Sequence, residues 1–323
     1  MPRELTLWVF AFVLFSGLSQ ADGDRPSTSP VEVGIFVIDI SQVKELEQAV
    51  VVDFVVIARW QQPDLADAEA VGLRTFPLAA VDSPRLFVMN SRKLLKKLDD
   101  VVEVDPAGAV AYRQRYQGTL TVPMNLEDFP VDQQEVVFEV GSMEHAGRVL
   151  VKDEVRSGPM KPFTVAGWEV VDEGVRESRG IAPDGVTSLS LVTAQYRAKR
   201  NSLFFTWKLF IPLGLIVFMA YAVFWLDPTL IGTQIGVATS TVFTLIAYNF
   251  ALSDILPRIS YLTRADFFLV GCMFLVFGAL GEAVLTGVLA QDEDRLMLAR
   301  RIDVLARVIY PLCFALILLV AFL

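Results

Sequence analysis

A chain of 323 residues that is 54% hydrophobic and only 20% charged is too apolar for an ordinary water-soluble protein. Its net charge of −9 excludes a nucleic-acid binder, which needs a basic surface. One histidine, His145, and two cysteines, Cys272 and Cys313, both in apolar runs, exclude a histidine-built zinc centre, a CxxC site and a disulfide framework. No metal or cofactor is therefore expected.

Residues 1–21 read as a secretory signal: an apolar stretch from Leu5 to Leu18, too short to span a bilayer, runs into the small-x-small pattern Ser19-Gln20-Ala21. Residues 22–200 carry a β pattern. Val31, Val33, Ile35 and Val37 alternate as a half-buried strand should, and Val50 to Trp60 is a longer β-branched run. Leu120, Val122, Met124 and Leu126 alternate again, followed by Val136, Phe138 and Val140, and Leu189 to Arg200 is a last strand. Turn signals such as Asp105-Pro106-Ala107-Gly108, Ser157-Gly158-Pro159 and Pro183-Asp184-Gly185 separate these runs. Only Ser91 to Leu98 reads as a helix, with a solvated face. The expectation is an all-β, immunoglobulin-like sandwich of about ten strands.

Beyond Arg200 four apolar runs follow, with helices expected at about 203–226, 230–254, 262–290 and 296–323. Each supplies roughly 20 residues, enough for a bilayer core about 30 Å thick. Residues 201–323 thus read as a membrane domain, with the β-domain outside it. Arg295, Arg300, Arg301 and Arg307 fall on the inner side. Glu282, alone in the third run, is expected near the inner interface.

The second run differs from the others because it carries Thr233, Gln234, Thr239, Ser240, Thr241, Thr244 and Asn249. Such groups are costly against lipid. At four-then-three spacing, Gly236, Ser240, Phe243, Ala247, Phe250 and Asp254 fall on one helical face. Several copies around an axis would make this stripe a pore, with a wetted inner end, two phenylalanine rings that gate by dewetting, and an acidic outer mouth. A polar face packed on neighbouring helices is the other reading of the same segment.

Several motifs then occur in order. Phe129-Pro130-Val131-Asp132 resembles the FPxD core of the signature loop of pentameric ligand-gated ion channels, the Cys-loop receptor superfamily. The flanking cysteine places, seven residues before and after Phe129, hold Val122 and Val136, as in prokaryotic members. Arg200 resembles the arginine that ends the last extracellular strand, and Pro212 the proline of the first membrane helix. Ser240 to Phe250 looks like the prokaryotic pore helix, and Ile255-Leu256-Pro257-Arg258 the loop after it. Arg59-Trp60 and the Pro84 to Asn90 stretch, with Phe87 and Asn90, resemble two ligand-site loops.

The resemblance implies a homopentamer of this chain and four identical copies in the bacterial inner membrane. Its ligand sites between sandwiches would take a small-molecule or proton agonist. Phe129, Pro130 and Asp132, with Arg200, would press on Pro257 to Tyr261 and tilt the pore helix. Asp254 favours permeating monovalent cations. The alternative is a non-conducting, membrane-anchored small-molecule receptor. The absence of GxSxG, HExxH, P-loop and GxGxxG patterns argues against an enzyme.

Overall fold

A computed structural model describes residues 29–143, 149–163, 165–181, 188–253, 256 and 259–322. Two units of different chemistry follow one another along the chain. The first is a sandwich of twelve strands among the described residues. One sheet holds β1 (Val31–Lys44), β2 (Ala49–Gln61), β3 (Arg74–Pro77), β5 (Ser91–Lys96), β6 (Val101–Val104), β7 (Ala109–Thr121), β9 (Leu150–Lys152) and β10 (Gly158–Pro159). The other holds β4 (Leu86–Val88), β8 (Gln133–Met143), β11 (Trp168–Ile181) and β12 (Ser188–Arg200), in the order β11-β12-β8-β4. β1 and β2 pair antiparallel, as do β2 and β7 and β12 and β8. Successive side chains on a strand point to opposite faces. Phe54, Val56, Ala58 and Trp60 on β2 therefore meet Phe138, Val140, Val192 and Tyr196 of the other sheet in one core.

The Ser91 to Leu98 stretch is not a helix. Ser91–Lys96 is an extended strand antiparallel to β7. The reason lies in its partner. Gly118 on β7 has a φ of +147°, and a Cβ there would overlap the Lys93 carbonyl oxygen. A residue without a side chain lets the two backbones close, and the ladder outweighs local helix propensity. The alternation at Leu120 to Leu126 continues as alternating burial, but the ladder stops at Thr121 and the chain beyond it is irregular.

The second unit is a bundle of four helices, each long and apolar enough to cross a membrane: α1 (Leu203–Trp225), α2 (Ile231–Leu252), α3 (Arg264–Leu289) and α4 (Leu296–Phe322). Residues Thr206–Phe210 of α1 are wound as a π-helical turn just before Pro212. Proline cannot donate to the carbonyl four residues back, which is that of Lys208. The hydroxyl of Tyr248, on α2, lies 2.7 Å from the Lys208 oxygen and 3.0 Å from that of Leu209, and donates there. Proline chemistry in one helix thus fixes a contact to the next. Cys272 and Cys313 are free thiols in α3 and α4.

Candidate functional site

The junction of the two units is built on the end of β12. Arg200 is only 8% exposed and Asp132 2%. Arg200 Nε donates to Asp132 Oδ1 at 2.6 Å and Nη2 to Oδ2 at 3.2 Å, while Nη1 reaches Glu45 Oε1 at 2.9 Å. A planar guanidinium presents such a fork to carboxylates and still offers its faces to aromatic rings. Here it lies 4.2 Å from the ring centre of Trp168 and 5.0 Å from that of Phe129. Gln134 Nε2 adds a third bond to Asp132, at 2.7 Å.

The loop that holds Asp132 also seats α3. A helix begins with backbone N–H groups that have no intrahelical acceptor. At α3, Arg264 N–H donates to the Glu127 carbonyl at 2.9 Å and Ala265 N–H to that of Phe129 at 3.2 Å. The Thr263 side chain caps the Asp266 N–H, and the Asp266 carboxylate answers on Thr263. The Tyr261 hydroxyl accepts from the Leu126 N–H at 3.0 Å, and Arg264 Nε meets Asp128 at 2.7 Å. Phe129 packs edge-on to Phe205 at 4.8 Å. The structure therefore gathers Phe129, Asp132, Arg200 and Tyr261 into one junction; Pro130 belongs to the same loop, and Pro257 lies outside the described residues.

On α2 the face opposite the bundle is bare. Gln234, Ala238, Thr241, Val242, Leu245 and Leu252 are buried against the other helices. Gly236, Ser240, Phe243, Ala247 and Phe250 are exposed in the single chain, Phe243 at 66% and Phe250 at 75%. Asp254 lies outside the described residues. Ser240 Oγ donates to the Gly236 carbonyl and Thr244 Oγ1 to that of Ser240, both at 2.8 Å. Each hydroxyl proton is thereby turned back onto the helix, leaving its oxygen lone pairs outward. Gln234, part of the inner-end polar texture in the sequence, is withdrawn: its amide nitrogen bonds the Leu226 carbonyl at 3.3 Å.

Arg59, Trp60, Phe87 and Asn90 do not meet within one chain. Trp60 is 3% exposed in the sandwich core, with no acceptor for its buried indole N–H among the described residues. Arg59 is on the opposite face of β2. Phe87 belongs to the other sheet, its ring packed over Gly141. Asn90 cross-links strands: Nδ2 donates to the Thr121 and Val137 carbonyls and Oδ1 accepts from the Glu139 N–H. That role was invisible in the sequence, although an asparagine between two short strands is a known signal for side-chain-to-backbone bonding.

Residues 20–171 match the family described as neurotransmitter-gated ion-channel ligand binding domain. Residues 209–291 match the neurotransmitter-gated ion-channel transmembrane region. The chain belongs to the neurotransmitter-gated ion-channel family. Similar proteins include a gamma-aminobutyric acid receptor subunit beta of Caenorhabditis elegans, 30% identical over 190 residues covering 56% of this chain. The beta-4 subunit of Gallus gallus is 26% identical over 269 residues, 79% of this chain, and the beta subunit of Lymnaea stagnalis 24% over 293 residues, 80%. The matches cover 33%, 54% and 56% of those relatives' own lengths. Within this family the sandwich is the extracellular ligand-binding unit and the bundle the membrane region, so the chain is a multi-pass membrane protein.

Proposed function

We propose that this chain is the subunit of a homopentameric, agonist-gated ion channel of prokaryotic type, in a bacterial inner membrane, with α2 lining the pore. One observation carries the reading. The face of α2 that bears small residues and hydroxyls is the face the subunit leaves uncovered, although lipid is a poor solvent for such groups. Five copies around an axis enclose that face and wet it. Phe243 and Phe250 then form apolar rings that close the path by dewetting.

The agonist site lies between copies, as in the family the chain resembles; Arg59 and Phe87 do not meet within one subunit, and Trp60 backs the site from the sandwich core. Agonist binding shifts a closed–open equilibrium through its differential affinity for the two arrangements. The Leu126 to Asp132 loop, bonded to the start of α3 through Glu127 and Phe129 and to Tyr261 through Leu126, carries that shift to the segment following α2. Val122 and Val136 stand where a disulfide would brace this loop in animal members; here Gln134 bridges it, bonding Asn125 and Asp132.

Permeation favours monovalent cations. The outward lone pairs of Ser240 and Thr244, the Asp254 ring and the net charge of −9 all raise local cation concentration. The test is conductance of the purified protein in a planar bilayer under a NaCl gradient, with native mass measured in parallel. A pentamer whose reversal potential moves toward the sodium equilibrium supports the reading. A shift toward the chloride equilibrium overturns the selectivity, and a stable monomer or dimer overturns the channel.

A further inference from the structure

The four-stranded sheet has one face in the sandwich core and one turned away from it. Val136, Phe138, Val192, Ala194 and Tyr196 fill the core. The period of two then puts Glu135, Val137 and Glu139 of β8 on the outward face, opposite Arg197, Gln195 and Thr193 of β12. Over this face lies a hollow of about 760 Å³, bounded by Met89 and Asn90 after β4 and by Ser178 on β11. Of the candidate agonist residues Arg59, Trp60, Phe87 and Asn90, Asn90 alone lines it, and its amide is spent on joining strands.

The polar groups on the floor and rim are open. Neither the Glu135 nor the Glu139 carboxylate has a hydrogen bond or ion pair among the described residues. Arg197, the cross-strand neighbour placed to pair with Glu135, is taken by Glu173 of β11. Arg176, opposite Thr193 on β11, does not line the hollow. Gln195 Oε1 is buried without a donor. Thr193 is 8% exposed, and its hydroxyl has no partner among the described residues, although a buried polar group normally has one.

Two carboxylates and an amide oxygen are acceptors, so the missing group is a positively charged donor. No cluster of three metal-ligating side chains occurs among the described residues, which disfavours a metal ion. Glu135 and Glu139 are four residues apart on one strand face, about 13 Å between Cα atoms at roughly 3.3 Å per residue. Val137 stands midway, and Met89 and Pro123 add apolar surface beside it. Acid, apolar floor and acid complement a flexible hydrocarbon chain with an ammonium group at each end.

We propose that this hollow is a second small-molecule site and takes a linear aliphatic diammonium. One ammonium group sits on Glu135, the other on Glu139 and the Thr193 hydroxyl, and the methylenes lie over Val137. Glu135 is three residues beyond Asp132, and Gln195 five before Arg200. A ligand here clasps the two strands that lead to the buried junction pair. An effect on current rests on the channel reading above; binding does not.

Calorimetric titration of the purified full chain with hexamethylenediamine tests this, with hexylamine as the one-charge control. The diamine should bind more tightly than the monoamine, and less tightly as salt is raised. Glu135→Gln and Glu139→Gln should each weaken diamine binding about two- to fivefold, the worth of one exposed ion pair, and the double variant should lose the preference for the diamine. Both substitutions keep the side-chain shape on the outward face, and an unchanged melting temperature without ligand checks that the fold is kept. Equal diamine affinity in the wild type and the double variant overturns the proposal, because binding then lies elsewhere. Equal affinity of the wild type for diamine and monoamine, or no heat of binding at millimolar diamine, overturns it as well.

Discussion

Asp132→Asn perturbs the junction with almost no change of shape. In the native pair, Oδ2 accepts from Arg200 Nη2 at 3.2 Å and from Gln134 Nε2 at 2.7 Å, while Oδ1 accepts from Arg200 Nε at 2.6 Å. Asparagine keeps one acceptor and turns an NH₂ group toward two donors. Removing one member of a buried ion pair costs about 3–5 kcal/mol. Glu45 and the Trp168 ring still hold the guanidinium, so the lower end applies, about 3 kcal/mol. For a β-domain of this size that lowers the melting temperature by roughly 6–12 °C. Tryptophan fluorescence is the appropriate assay, since Trp168 stacks on Arg200. Combining Asp132→Asn with Arg200→Gln should recover part of the loss, because no charge is then left stranded. A shift under about 1 °C, or strictly additive losses with a coupling below about 0.5 kcal/mol, would refute the argument that this pair holds the junction.

Three further outcomes follow from the same structure. Tyr248→Phe removes the donor that serves the Lys208 carbonyl left open by Pro212. It should cost about 1–3 kcal/mol in thermal melting, as water cannot readily substitute inside a bilayer; an unchanged melt would mean that another donor serves that oxygen. Phe243→Ala and Phe250→Ala should each raise basal current, since a smaller ring excludes less water, and unchanged gating in both would remove Phe243 and Phe250 from the pore. The third concerns acid. The hydrogen bonds from Arg115 to Asp53, at 2.9 and 2.6 Å, hold that carboxyl below the usual carboxylate range. The pair's contribution is present above the ordinary carboxylate value of about 4 and lost as pH falls below it. For a partly exposed pair that is roughly 0.2–1 kcal/mol, and Asp53→Asn should flatten this part of the acid melting profile; a profile identical to wild type would show that the pair contributes nothing.

Much of the architecture is written in local periodicity. Alternation at Val31 to Val37 and Val50 to Trp60, and four uncharged or nearly uncharged runs, fix two sheets and four helices because burial has a period of two in strands and lipid demands length in helices. The exposed stripe of α2 was legible for the same reason. What escaped depends on partners distant in sequence. Ser91–Lys96 is a strand only because Gly118 lets β7 approach. Pro212 announces an open carbonyl, but not that Tyr248 fills it. Gln234 looks like part of the polar inner end until Leu226 takes its amide.

The claim that α2 encloses the conduction path is tested most directly by charged thiol reagents on open channels in a bilayer. Ser240→Cys, on the exposed stripe, should be modified and its current blocked. Thr241→Cys, one residue on and buried against the other helices, should conduct as before under the same reagent. Block at Thr241→Cys with none at Ser240→Cys would contradict the account.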